Sequence, residues 1–157
     1  MISYSIINTI IISFLPIFEL RGGIPYGLAN HLSLPLVFTI SVITNILISP
    51  FLFWFLNKIN PLLLNIKWYN HFYNKYLENA RKKTRDKIEK YGYLGLLIFV
   101  AIPLPMTGAY TGTLGAWALG MERKRAMLYI SLGVIIAGLI VALVAYYGIQ
   151  ALSIFLN

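Results

Sequence analysis

The sequence predicts an all-α integral membrane protein of two inverted units, each a re-entrant helical hairpin followed by a transmembrane helix, joined by a cytoplasmic amphipathic helix. Three observations predict it. The 157 residues are 59% hydrophobic and 11% charged, with a mean hydropathy of +0.74, outside the range of water-soluble domains. Two long uncharged runs are each preceded by a shorter apolar stretch that ends at a break rich in Gly and Pro. Finally, nine of the thirteen Lys and Arg lie between Lys58 and Lys90 and three between Arg123 and Arg125, leaving Arg21 alone elsewhere. Basic clusters beside apolar runs mark the cytoplasmic flanks of membrane segments, so the net charge of +8 does not predict a nucleic-acid partner. The chain has no cysteine, which excludes disulfides and Cys-based metal or redox sites.

The first unit opens with the apolar run Ile2 to Leu15, stopped by Pro16. It is too short to span about 30 Å of hydrocarbon, which takes about 20 residues, and suits a half-helix. It has no preceding Lys or Arg and no small-residue cleavage pattern, so it is expected to stay in the fold rather than be removed as a signal peptide. A polar break, PIFELRGGIPYG, leads to a short helical piece from Pro25 to His31 and completes hairpin 1, residues 1–31. Residues 34–57 carry no charge and form the first spanning helix. Asn45 lies in mid-span and is expected to hydrogen-bond another helix.

Residues 58–90 are basic, and Trp68, Tyr69, Phe72, Tyr73, Tyr76, Leu77 and Ala80 recur at helical spacing, with Lys67, Lys75 and Lys82 available to the other side. This suits a helix on the cytoplasmic surface in contact with membrane lipids, or a solvated connector with pairs such as Glu78 with Lys82. Hairpin 2, residues 91–121, repeats the pattern: an apolar run from Tyr91 to Ile102, the break PLPMTGAYTG, and a short piece from Gly112 to Leu119 closed by Gly120. Residues 126–149 form the second spanning helix. There Gly133, Ala137, Gly138 and Ala142 form overlapping small-xxx-small pairs, which favour close helix contact within a subunit or in a homo-oligomer.

Charge placement sets the topology. Basic flanks at 58–90 and 122–125 put both ends of hairpin 2 on one side, and the first span then makes hairpin 1 enter from the other. Paired, broken hydrophobic segments in inverted halves point to a binding site near the membrane midplane.

Candidate site residues follow from the two breaks. Glu19 and Arg21 are the only charges outside the cytoplasmic-type segments, and ionisable groups at membrane depth cost about 2.5–3.5 kcal/mol or more, which points to a function or a partner. Gly22 and Gly23 would let the backbone approach a ligand, and Pro25 would begin the short helix after the break. In the second break Pro103 and Pro105 free backbone groups, and Gly108 and Gly112 belong to the same candidate site. Thr107, Tyr110, Thr111 and Thr113 supply hydroxyls, for a ligand or for that backbone. Thr111 can cap the second short helix, so that two helix N-termini face an anion beside Arg21. Glu19 is the candidate proton carrier, since burial disfavours its carboxylate and Arg21 favours it. No nucleophile triad, paired carboxylates or metal-ligand spacing occurs, so neither an enzyme nor a bound cofactor is expected.

On PIFELRGGIPYGLA (16–29) and PLPMTGAYTGTLGAWALGM (103–121) the chain resembles the putative small multidrug export protein family of archaea and bacteria, over nearly its full length. That family is distantly similar to the DedA/VTT superfamily, whose opposed re-entrant hairpins carry acidic and basic residues and which is implicated in moving polyprenyl-phosphate lipids. The resemblance implies a multi-pass protein of the cell membrane with a transport role. Where DedA proteins carry Arg in and after the second re-entrant segment, this sequence has hydroxyls and Gly until Arg123. Residues and resemblance together give three expectations: proton-linked translocation of a lipid phosphate or other anion, export of cationic drugs, or a non-transporting membrane scaffold.

Overall fold

A computed structural model describes the backbone of residues 2–104 and 107–156, with side chains from Ser3 to Gly148 outside the gap. The described residues form seven helices: α1 (Ile2–Phe14), α2 (Glu19–Ala29), α3 (Leu34–Lys58), the one-turn α4 (Asn60–Leu63), α5 (Lys67–Ala101), α6 (Ala109–Ala118) and α7 (Arg123–Leu156). Two are long and apolar enough to cross a membrane, Leu34–Lys58 and Arg123–Gly148, matching the two uncharged runs. Only 39% and 33% of their most apolar windows are buried. Ile43, Leu47 and Trp54 of α3 and Leu128, Leu132, Leu139 and Leu143 of α7 face outwards. A soluble core helix would bury that surface, whereas lipid accepts it.

α1 and α2 form a helical hairpin. Pro16 ends α1, and a turn at 16–18 leads directly into α2 at Glu19, whose φ of 49° bends the chain into the next helix. For an L-residue with a Cβ this conformation costs about 1–2 kcal/mol. The break is therefore shorter than the sequence suggests, and the expected helix start at Pro25 is not observed. Pro25 lies inside α2, where its missing N–H cannot bond the Arg21 carbonyl. Gly22 and Gly23 are helical too, and their small size serves packing. A Cβ on Gly23 would strike Ser13 Oγ, and one on Gly27 would strike Val37 and Thr9.

α5 contains the second hairpin's first arm. At Gly92 (φ 59°, ψ −131°) the helix breaks, dividing residues 67–91 from 93–101, so the change from basic to apolar sequence coincides with a change of direction. Ile102, held extended before Pro103, ends the arm, and α6 returns. Gly112 lets α6 approach Val100 closely. α2 and α6 end alike. After α2, His31 (φ 61°) donates to Leu28 O and Leu32 N–H to Gly27 O; after α6, Gly120 (φ 68°) donates to Trp117 O and Met121 N–H to Ala116 O. Both are Schellman closures. Gly120 matches its expected role, while His31 adopts the same left-handed turn without glycine's freedom.

The two hairpins stack along the two long helices. Hairpin α1–α2 lies on the first half of α3, where Gly27 meets Val37 and Asn45 Nδ2 donates to Ser13 O and Ser41 O at 3.0 Å each. α6 lies on the second half, where Thr113 Oγ1 is 3.1 Å from Ser49 Oγ and Trp117 Nε1 donates to Asn57 Oδ1 at 3.4 Å. α7 runs the other way. Its first half packs on the 93–101 arm, with Gly133 against Leu97 and Val100, and its middle packs on α3, with Gly138 against Val42 and Phe38. The small residues of α7 thus seat α7 on its own chain, and Ala137 and Ala142 are buried with them.

The expected aromatic face of residues 67–80 is divided. Tyr73, Leu77 and Ala80 turn inwards onto Leu56, Leu114 and Trp117, and Thr84 fills the notch at Gly115, while Trp68, Phe72 and Tyr76 remain exposed. The basic helix is docked on α6 and the end of α3, with charged pairs Lys82–Glu78 and Arg85–Glu89 outside.

Candidate functional site

The hairpin tips meet between α3 and α7, and Glu19 makes the junction. Its side chain is buried, with Oε1 accepting from the Tyr110 N–H at 3.3 Å and the Ala109 N–H also directed at the carboxyl. These are the free N–H groups of the first turn of α6, where the helix dipole favours an anion. The N-cap residue is Gly108, which offers no side chain and leaves room for the carboxyl: a Cβ there would collide with Glu19. Thr111 is therefore not the cap. It sits buried in the first turn, and the α6 N-terminus expected to receive a ligand is filled by an acid from the other hairpin. Tyr110 adds a second tie, its hydroxyl donating to Phe14 O at 2.6 Å and its ring meeting Phe14 edge-on.

Arg21 lies on the opposite side of the junction. Nη1 is 3.7 Å from Glu19 Oε2, so the two charges pair across the first turn of α2, and the left-handed Glu19 backbone makes this possible for residues two apart. Nη2 donates to Thr107 Oγ1 at 3.1 Å and approaches Ile102 O at 3.5 Å. Thr107 in turn can donate to Ile102 O or Leu104 O, each at 2.7 Å. Its hydroxyl thus relays between the guanidinium and the backbone freed at the second break.

Arg21 also reaches a cavity. A groove of about 460 Å³ is lined by Arg21, Pro25, Pro103 and, from α7, Ile140, Val141, Val144, Ala145 and Gly148. Among the described lining residues every side chain is apolar except the guanidinium. Glu19 does not line it and lies behind Arg21.

The structure thus brings together Glu19, Arg21, Thr107, Gly108 and Tyr110 at the junction, and Arg21, Pro25 and Pro103 at the groove. Gly22, Gly23 and Gly112 pack helices against each other and do not face the groove, and Pro105 lies outside the described residues. The α7 wall had no signal in the sequence, because apolar residues that line a groove and those that face lipid have the same composition. Among the described residues no group of three His, Cys, Asp or Glu could hold a metal.

Residues 19–140 match the family described as "putative small multi-drug export protein", and the chain belongs to that family. No curated protein and no solved structure matches it. The family description indicates a membrane export or transport protein, in agreement with the two membrane-length helices.

Proposed function

We propose that this member of the export family translocates an amphipathic anion, with a lipid phosphate as the best-fitting class. One observation carries the reading: among the described residues Arg21 is the single charged one lining a groove whose other walls are apolar. A phosphate or carboxylate head would pair with the guanidinium, and hydrocarbon would cover the α7 wall. Glu19 would be the coupling acid, since it shares Arg21 with any anion in the groove.

The membrane arrangement that goes with this reading is two hairpins entering from opposite faces. Tip-to-tip contact at Glu19 and Ala109, the lengths of α1 and α2 (about 20 and 17 Å against about 30 Å of hydrocarbon) and the matched closures at His31 and Gly120 support it. Export of cationic drugs is the second reading, favoured by the family description. It would need a carboxylate open to the substrate, and Glu19 is 3% exposed.

Flux in proteoliposomes separates the two. Fluorescent lipid phosphate should cross faster than in protein-free vesicles, and Arg21→Gln should abolish the difference. Proton-dependent uptake of an organic cation, with no movement of the lipid phosphate, would overturn the anion reading. If neither moves, the junction is a scaffold.

A further inference from the structure

Behind Arg21, at the centre of the molecule, lies a void too narrow for water, lined by Glu19, Leu20, Arg21, Asn45, Val100, Gly108, Ala109, Val134 and Ala137. Two of its polar atoms have no partner, Asn45 Oδ1 and Arg21 Nε. The asparagine cannot be turned over to remove its orphan. Its Nδ2 already donates to two carbonyls, Ser13 O and Ser41 O, and a flip would set oxygen against both. Asn45 is 0% exposed, so no solvent reaches Oδ1. A buried acceptor without a donor costs about 1–3 kcal/mol, and the two Nδ2 bonds that help hold hairpin α1–α2 on α3 leave Oδ1 unused.

We infer that Asn45 Oδ1 is the acceptor for the proton of Glu19 when that acid is neutral. This rests on Glu19 being the coupling acid of the proposed transport. Glu19 takes up one proton from water, no other bond changes, and the new O–H donates to Asn45 Oδ1 across the void. As a carboxylate it returns to Arg21 and the Ala109 and Tyr110 N–H groups. The acid thus has two stations, both among residues that line or adjoin the same void. Among the described residues the other charged or titratable groups that bear on it are Arg21 from α2, Tyr110 from α6 and, electrostatically, Tyr76 from α5; α3 brings Asn45 to the void, and α7 brings Val134 and Ala137. In the neutral state Arg21 loses its carboxylate and keeps its place in the groove, so proton uptake and anion binding favour each other.

The test is carbon-13 NMR on the full chain in nanodiscs, following the side-chain carbonyls of Glu19 and Asn45 with pH. Both signals should move with a single midpoint, and Asn45 should stay still in Glu19→Gln. In Asn45→Leu the infrared carbonyl stretch of neutral Glu19 should move to higher frequency, as for an acid without an acceptor. If this variant does not fold, the wild-type titration decides alone. A Glu19 titration that leaves Asn45 unmoved, a Glu19 that never protonates, or a response to sodium at fixed pH overturns the inference. Flux on the same samples keeps the two proposals apart: transport without the coupled shifts removes Asn45's role only, and coupled shifts without transport remove the transport reading only.

Discussion

Replacing Gly108 with alanine puts one methyl group where the Glu19 carboxyl lies. The backbone there (φ −89°, ψ −157°) is open to any L-residue, so the substitution adds no conformational strain, and its effect is on Glu19. The added Cβ would overlap Oε2, Cδ and Oε1 together, and the carboxyl must leave the first turn of α6. Hydrogen bonds to a charged group contribute about 1.5–3 kcal/mol each, partly recovered wherever the carboxyl goes, so the loss is about 2 kcal/mol. Alanine is also a poorer N-cap than glycine, by about 1 kcal/mol. Gly108→Ala should therefore destabilise the protein by about 3 kcal/mol, but by only about 1 kcal/mol in a Glu19→Ala background, where the three atoms nearest the added methyl are gone. The difference, a coupling of about 2 kcal/mol, is measurable as a double-mutant cycle by titrating SDS into mixed micelles and following helicity. Costs that add to within about 0.5 kcal/mol would refute the placement of Glu19 at the α6 N-terminus.

Other outcomes follow from the same contacts. Gly23→Val should destabilise the α1–α2 hairpin by about 1–3 kcal/mol through overpacking on Ser13 and Ser41, read as a lower midpoint in the same SDS titration. Gly115→Val should push Thr84 away and loosen the basic helix from α6; a loss of about 1.4 kcal/mol would raise the rate of tryptic cleavage within residues 67–91 about tenfold, and an unchanged rate would show that this helix is not held there. Arg21→Gln should weaken binding of a lipid-phosphate probe by about 10–100-fold, measured by fluorescence in detergent, while leaving a neutral lipid of the same chain length unaffected. In this cysteine-free chain, single cysteines at Ser3, Ser33, Asn70 and Lys124 should label from two sides of sealed vesicles, with 70 and 124 on one side and 3 and 33 on the other. Labelling of position 3 together with 70 and 124 would make α1 a true span.

Much was legible in the amino-acid sequence because it depends on local composition. The uncharged runs at 34–57 and 126–149 fix the long helices through length alone, the shift from basic to apolar near Tyr91 marks the turn at Gly92, and Gly120 announces the end of α6. Glu19 and Arg21 stood out because charges are rare and costly beside apolar runs. Local rules also misplaced two helix starts. Pro25 reads as a first-turn residue, yet α2 begins six residues earlier, because packing of Gly23 and Gly27 on Ser13, Thr9 and Val37 holds the helix through the proline. Thr111 reads as a cap, yet the group at the α6 N-terminus comes from Glu19.

The sequence by itself determined that this chain has lipid-length helices, two interrupted apolar segments and one acid–base pair among them. Only the tertiary structure decided what those segments do to each other. The bond from the Tyr110 N–H to Glu19 spans 91 positions, and the α7 wall of the Arg21 groove lies more than a hundred residues from Pro25. Contacts of that separation are set by how helices stack along α3 and α7, and no periodicity or propensity within a segment encodes its distant partner. For the same reason Asn45, which the sequence marks as one polar residue in a span, becomes an orphaned acceptor beside Glu19 only when the two hairpins close over it.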